Sequence, residues 1–159
     1  MLNNAAGMER HVQTSENNNN RGHRDWMRWA ALCARIALGV GFLSGIADRF
    51  GLYRGRNVGY GDFAGFVRYT AKVNSFMPTS TIPFLAWAAT IAELFFGITL
   101  ILGIWRVWVA LGSAVLLILF GTAMAISFGI KSPLDYSVFS AASTALLVAA
   151  YESRRKEWK

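Results

Sequence analysis

Two ionisable residues lie inside otherwise apolar stretches of the sequence. Arg35 interrupts the stretch WAALCARIALGVGFLSGIA, and Glu93 interrupts the stretch WAATIAELFFGITLILGIW. Both stretches are long enough for a membrane-spanning helix, and a charge at membrane depth is costly unless it serves a purpose. A carboxylate in such a place can pair with a cation, exchange a proton or face a bound ligand, and the sequence leaves these alternatives open.

Helical spacing indicates partners for both charges. Glu93 shares a helix face with small residues, namely Ala86, Ala89, Thr90 and Gly97. Arg35 shares its face with Gly39, Phe42, Ile46 and Arg49. Because both faces would turn toward neighbouring helices, we expect an Arg35–Glu93 ion pair between the first two apolar helices. The alternative is a proton or ligand site at Glu93, entered from the loop side with Arg49 or Lys72 near its mouth.

A second carboxylate has a structural interpretation. In KSPLDYSVF, Ser132 is predicted to cap a helix, Pro133 suits its first position, and Asp135 falls at the third. A hydroxyl and an acid at this spacing form a capping box at a helix start. We therefore predict that Ser132 and Asp135 serve the helix rather than chemistry.

The residue types that bind metals and haem are scarce. Cys33 is the single cysteine, and the two histidines, His11 and His23, fall in the polar N-terminal segment. We predict no disulfide, no metal site and no cofactor bound by a recognisable motif.

The charges must be positioned by long helices. Four apolar segments lie at about 29–47, 82–105, 107–130 and 133–151. Each is near the length of roughly 20 residues that crosses a bilayer, and tryptophans stand at several of the ends. With 54% hydrophobic residues, the chain is predicted to be an all-α integral membrane four-helix bundle. Small residues at four-residue spacing form a stripe on three of the four segments and support close packing: Ala37, Gly41 and Gly45; Gly121, Ala125 and Gly129; and Ala141, Ala145 and Ala149.

Two further regions complete the predicted organisation. Apolar and polar positions alternate with helical period over 62–77, which predicts an amphipathic helix in the membrane interface between the first two spans. Residues 1–25 are polar and Asn-rich and are predicted to be a disordered tail. A transmembrane domain is expected over 26–151, and 152–159 form a basic tail.

The net charge of +7 is spread over loops and tails rather than along one face. This distribution favours contact with lipid headgroups, and we expect no binding to nucleic acid. Four spans place both termini on one side of the membrane. The tails and the IWRVW turn carry more basic residues than the opposite side, so both termini are predicted to be cytoplasmic.

Four stretches carry a family resemblance. They are, in chain order, ARIALGVGFLSGIADRFGLY, FVRYTAKVNSFMP, ATIAELFFGITLILGIW and GIKSPLDYSVFSA. Their order and spacing resemble the DoxX family, which includes DoxD-like members and consists of small four-helix bacterial membrane proteins. The resemblance covers roughly residues 29–150 and implies a location in the bacterial inner membrane.

The resemblance also bears on sites and function. It implies that Arg35 and Glu93 match intramembrane charges of the family, with Lys72, Asn74 and Asp135 in its loop motifs. Related proteins are linked to thiosulfate- or thiol-dependent redox systems, which implies an accessory or quinone-proximal subunit with a redox partner protein. Enzymatic activity would then be at most that of a subunit of a quinone-linked oxidoreductase.

Two other functions stay open. One is a non-enzymatic membrane scaffold, in which the buried charges only fix the register of the helices, with homo-oligomerisation as an option. The other is small-molecule transport, which ranks lower because inverted repeats and broken helices are weakly indicated.

Overall fold

The computed structural model describes residues 2–53 and 59–157, with side chains for 22–53 and 59–155. All the regular structure in these residues is helical. The elements are α1 (Leu2–Arg49), α2 (Phe63–Val73), a short 3₁₀ helix (Thr79–Thr81), α3 (Ile82–Leu102), α4 (Arg106–Phe128), α5 (Lys131–Asp135) and α6 (Val138–Glu157).

Three segments are long and apolar enough to cross a membrane within the described part of the chain. They are Gly22–Arg49, Thr79–Leu102 and Arg106–Phe128, and they correspond to the first three predicted spans. The helix α6 does not belong to this group, since its apolar part gives way to the charged sequence ESRRKE. The structure therefore supports an all-helical protein with three candidate spans.

The N-terminal segment differs from its prediction. The stretch 1–25 was expected to be disordered, but its backbone is helical from Leu2 onward as the beginning of α1. The stretch 2–49 contains no proline, so no residue removes a backbone donor and stops the helix. Met1–Cys33 form one compact unit and Ala34–Lys159 another; the sites described below belong to the second unit.

Close contact between α1 and α3 depends on glycines. A Cβ atom on Gly39 would lie 2.8 Å from the carbonyl oxygen of Gly97, and one on Gly97 would lie 3.0 Å from the side chain of Leu43. The stripe of small residues predicted on α1 contains Gly41 and not Gly39. A Cβ atom placed on Gly41 would meet no atom within 4 Å. The two helices therefore approach along the face that also carries Arg35 and Arg49.

The contact between α4 and α6 is built from small side chains. Ala110 and Ala114 on α4 and Ala145 on α6 are fully buried, and α4 packs more extensively against α6 than against α2, α3 or α5. The predicted stripe on the last helix thus contributes Ala145 and Ala149 to the core.

The helix α2 lies in the loop between α1 and α3. Asp62 caps its N-terminus by accepting a hydrogen bond from the Gly65 amide, and Phe66, Thr70 and Val73 are buried. At the C-terminal end, the Ser127 hydroxyl of α4 donates to the Val73 carbonyl at 2.6 Å. The helix ends at Val73 rather than near residue 77, so a short amphipathic helix is present where one was predicted.

The predicted capping box near Ser132 is wrong. Ser132 lies inside α5, and the residue at the N-cap is Ile130, which makes no side-chain capping bond. Because α4 ends at Phe128, with Gly129 as its C-cap, and α5 begins at Lys131, Ser132 has helical backbone and cannot cap. Asp135 is held instead by the ammonium of Lys131. A turn at Ser137, with φ of 55°, then separates α5 from α6.

Candidate functional site

The central carboxylate of the second span is paired with the last residue of α1. The Nη2 atom of Arg49 lies 2.7 Å from both Oε1 and Oε2 of Glu93. Only 4% of Arg49 and 3% of Glu93 is exposed. A short, doubly contacted pair of this kind is a charge-assisted hydrogen bond, which is among the stronger polar contacts in proteins.

Thr90 completes the polar centre. Its hydroxyl accepts a hydrogen bond from Arg49 Nη1 at 3.0 Å and donates to the Ala86 carbonyl of the preceding turn at 2.8 Å. Thr90 precedes Glu93 by three residues, which places both side chains on one face of α3. The arginine therefore meets two acceptors in a fixed arrangement.

Aromatic residues cover the guanidinium from the loop side. The Arg49 Cζ atom lies 3.6 Å from the ring centroid of Phe66 and 5.9 Å from that of Tyr60. A cation over an aromatic face is attracted by the ring quadrupole, and the two rings also contact each other edge to face at 5.1 Å. The helix α2 and the end of the preceding loop thus shield the ion pair from water.

Asp48 forms hydrogen bonds with the backbone of the loop that carries Tyr60. Its carboxylate accepts hydrogen bonds from the backbone amides of Gly59, at 3.1 Å, and Tyr60, at 2.9 Å. Burial raises the pKa of the Tyr60 phenol to about 12, with smaller contributions from neighbouring charges. The phenol is therefore neutral over the physiological pH range.

The Arg49 side chain has one donor left over. Its Nε atom is buried and has no hydrogen-bond partner among the described residues. A buried donor without a partner costs free energy, so such groups often point to a missing polar partner at the site. The ion pair is thus almost, but not completely, satisfied by the protein.

A cavity reaches Glu93 from between the helices. Its volume is about 400 Å³. The lining is largely apolar and consists of Ala34, Ala37, Leu38, Gly41, Phe42, Glu93, Leu117, Phe120, Ala141 and Thr144. Glu93 is the one ionisable residue in this lining. An apolar cavity with a single carboxylate in its lining suits a lipophilic molecule that carries a polar group.

The predicted Arg35–Glu93 pair is wrong. The Nε and Nη2 atoms of Arg35 donate to the Leu100 carbonyl at 3.1 and 2.9 Å, and Glu93 is bound by Arg49. Arg35 and Arg49 are fourteen positions apart on one helix face, or about 21 Å along the axis. The face was identified correctly, but the position along it was not.

Arg35 belongs to a second polar group, which we call the Glu152 cluster. Its members are Arg35, Arg106, Glu152 and Arg155. One carboxylate oxygen of Glu152 lies 3.8 Å from Arg35 Nη1, while the other lies 3.5 Å from Arg106 and 3.7 Å from Arg155. Gly103, with φ of 72°, passes so close that a Cβ atom there would collide with Arg35 Nη2.

Sequence reasoning missed Glu152, because the last four-residue repeat was followed only as far as Ala149 and the residues beyond 151 were assigned to a basic tail. Glu152 lies seven residues after the buried Ala145 and three after Ala149, a spacing that places all three on one helix face. That spacing was the available signal.

The other loop-side candidates make no hydrogen bond or ion pair with Glu93 in the part of the chain that the structure describes. Lys72 is exposed. Asn74 is the C-cap of α2, where its side-chain amide donates to the Thr70 carbonyl at 3.0 Å. No group of three or more histidine, cysteine or acidic residues that could hold a metal ion occurs in the described part of the chain.

Comparison with protein families gives one match. The family model described as DoxX matches residues 30–128, well over half of the chain, and the match contains Arg35, Arg49 and Glu93 but ends before Glu152. Comparisons with curated proteins and with solved structures gave no match.

Proposed function

This chain belongs to the DoxX family, and from that premise we propose that it is a quinone-proximal accessory subunit of a membrane redox complex. The observation that carries the proposal is the cavity of about 400 Å³ that reaches Glu93. This volume lies within the range of small-molecule sites, about 300–1,000 Å³. A quinone has the matching chemistry, since its ring and tail are apolar and its oxygens are polar.

The proposal gives Glu93 and Arg49 distinct roles. Reduction of a quinone to a quinol takes up two electrons and two protons. A partner redox protein supplies both electrons, and water supplies both protons. The Glu93 carboxylate relays one of these protons to a quinone oxygen and then returns to its ionised form. Arg49 holds the carboxylate in place and stabilises its charge after the proton leaves.

The first experiment measures quinone retained by the purified protein. Glu93→Gln removes the ionisable group, and Gly41→Leu fills the cavity from a position where a new side chain meets no atom within 4 Å. We expect both variants to lose bound quinone while eluting as folded protein. Glu152→Gln is the matched control, because it removes a buried carboxylate outside the cavity and should retain quinone. Equal retention by all four proteins would contradict the proposal.

A membrane scaffold is the second candidate, and one observation favours it. Arg49 binds both Glu93 and Thr90, so no ligand is needed to balance the buried charges. The polar centre would then serve only to fix the register of α1 against α3. In that case, replacing Glu93 and Arg49 together by leucines would leave any co-purifying partner protein in place. Retention of the partner together with loss of bound quinone would favour the redox role.

We also propose a four-span topology in the bacterial inner membrane, with α6 as the fourth span, α2 in the interface and both termini in the cytoplasm. Support comes from the buried contact of α6 with α4. Single cysteines at the exposed positions Ser75 and Ser153, in a Cys33→Ser background, test this with an impermeant maleimide. Four spans predict labelling of intact cells at 75 and, only after lysis, at 153. Labelling of both in intact cells would indicate three spans.

A further inference from the structure

The Glu152 cluster has more positive charge than its own carboxylate can balance. Three guanidinium groups surround one carboxylate, which leaves an excess of two positive charges. The contacts of 3.5 to 3.8 Å are longer than a normal charge-assisted hydrogen bond. Glu152 is therefore shared among the three arginines, and their donors are only partly used.

The cluster is open on one side. Arg35 and Glu152 are buried, whereas the side chains of Arg106 and Arg155 are 40% and 38% exposed. Arg106 is also held by its Nε donor, which binds the Gly103 carbonyl at 3.1 Å. Its remaining donors and those of Arg155 can therefore reach a ligand while Glu152 keeps the two guanidinium groups together.

The position of the cluster along the helices indicates where the ligand comes from. Arg106 is the first residue of α4 and follows the end of α3 at Leu102, so it stands at the ends of two candidate spans. Trp105 and Trp108 beside it are 70% and 72% exposed. Tryptophans at helix ends lie at the depth of lipid headgroups, and the positive end of the α4 dipole also favours an anion there.

We propose that the Glu152 cluster binds the phosphate of an anionic phospholipid, with Arg106 and Arg155 as the direct donors. Guanidinium groups bind phosphate through paired hydrogen bonds, and basic pockets between membrane helices recognise anionic headgroups in this way. Arg35 and Glu152 are positioning residues in this site. The inference goes beyond the proposed redox function and holds whether or not a quinone binds at Glu93.

Binding of phosphatidylglycerol to the delipidated full chain in detergent micelles tests the proposal. Native mass spectrometry and thermal unfolding give the affinity. Arg106→Gln and Arg155→Gln should each weaken binding by about tenfold, the value expected for a hydrogen bond to a charged group. Arg154→Gln is the matched control, since it removes the same charge from the neighbouring exposed residue and should weaken binding less than about threefold because of screening.

Measurements with other ligands distinguish a lipid phosphate from a soluble phosphate. Phosphatidylcholine, which has no net charge, should not compete with phosphatidylglycerol. Glycerol phosphate and inorganic phosphate should neither bind nor stabilise at equal concentration, since they lack the acyl chains that hold a lipid beside the tryptophans. Equal binding of the soluble anions would overturn the lipid assignment.

The fold control is thermal unfolding without lipid, which should be unchanged by Arg106→Gln and Arg155→Gln because both side chains are partly exposed. Equal losses of affinity at Arg106, Arg154 and Arg155 would show a general basic surface and overturn the site.

Discussion

The two buried polar groups of this protein are built on different principles. At the loop end, Arg49 and Glu93 are matched one to one at 2.7 Å and are covered by Phe66 and Tyr60. In the Glu152 cluster, one carboxylate contacts three arginines at 3.5 Å or more, and two of these arginines are partly exposed. The first group is neutral and closed, while the second has excess charge and is open.

This difference separates what each group can do. A closed, neutral pair fixes the helices that hold it and lets Glu93 meet only what enters the apolar cavity. An open, basic group holds its arginines together for an anion outside the protein. The chain thus combines a buried centre beside an apolar cavity with a charged group at the helix ends.

Breaking the closed pair should have the largest effect. Leucine at Arg49 leaves the Glu93 carboxylate buried without a counterion, and leucine at Glu93 does the same to Arg49. We expect each single change to lower the free energy of unfolding in detergent by about 3–5 kcal/mol. Chemical unfolding followed by helical circular dichroism measures it. If Arg49→Leu or Glu93→Leu lowers the free energy of unfolding by less than Glu152→Gln does, the closed pair is not the more stabilising of the two groups.

A bulky residue at the contact between α1 and α3 should have the next largest effect on stability. Gly39→Leu forces a side chain against the Gly97 carbonyl, 2.8 Å from the Cβ position. We expect a loss of about 1–3 kcal/mol, the usual cost of overpacking. The control is Gly41→Leu on the same helix, where nothing lies within 4 Å and thermal unfolding should change little. Similar losses at both positions would mean that the helices meet along another face.

Removing charge from the open group should cost less. In Glu152→Gln, Arg35 keeps two hydrogen bonds to the Leu100 carbonyl, and the other two arginines are partly solvated. We expect about 1–2 kcal/mol of lost stability. Added salt should reduce this loss, since partly exposed charges are screened, whereas the effect of Arg49→Leu should be insensitive to salt.

The effect that is smallest at neutral pH, and that develops only in strong base, concerns Tyr60, which covers the closed pair. The pKa of Tyr60 is raised to about 12 by burial, so the folded state favours the neutral phenol. The stability from this preference is complete below the unfolded pKa of about 10 and is lost as the pH rises toward 12. Wild-type protein should therefore lose stability relative to Tyr60→Phe between about pH 10 and pH 12. A constant difference across that range would show that Tyr60 is solvated.

The sequence predicted the helical class, all three candidate spans and the face of α1 that carries both arginines. It could not predict which arginine Glu93 meets, because a helical period specifies the side of a helix but not the height at which its neighbour packs. That height follows from the contact of Gly39 with Gly97, which depends on two helices together. Glu152 was missed for a related reason, since charge density near a terminus resembles a solvated tail until the packing of α6 on α4 is known.

The central claim is that Glu93 is paired with Arg49 and not with Arg35. Two double-mutant cycles in detergent test it most directly, one with Arg49→Leu and Glu93→Leu and one with Arg35→Leu and Glu93→Leu. We predict a coupling energy of about 2–3 kcal/mol for Arg49 with Glu93, and one within about 0.5 kcal/mol of zero for Arg35 with Glu93. A large coupling for Arg35 together with additive losses for Arg49 would contradict this account.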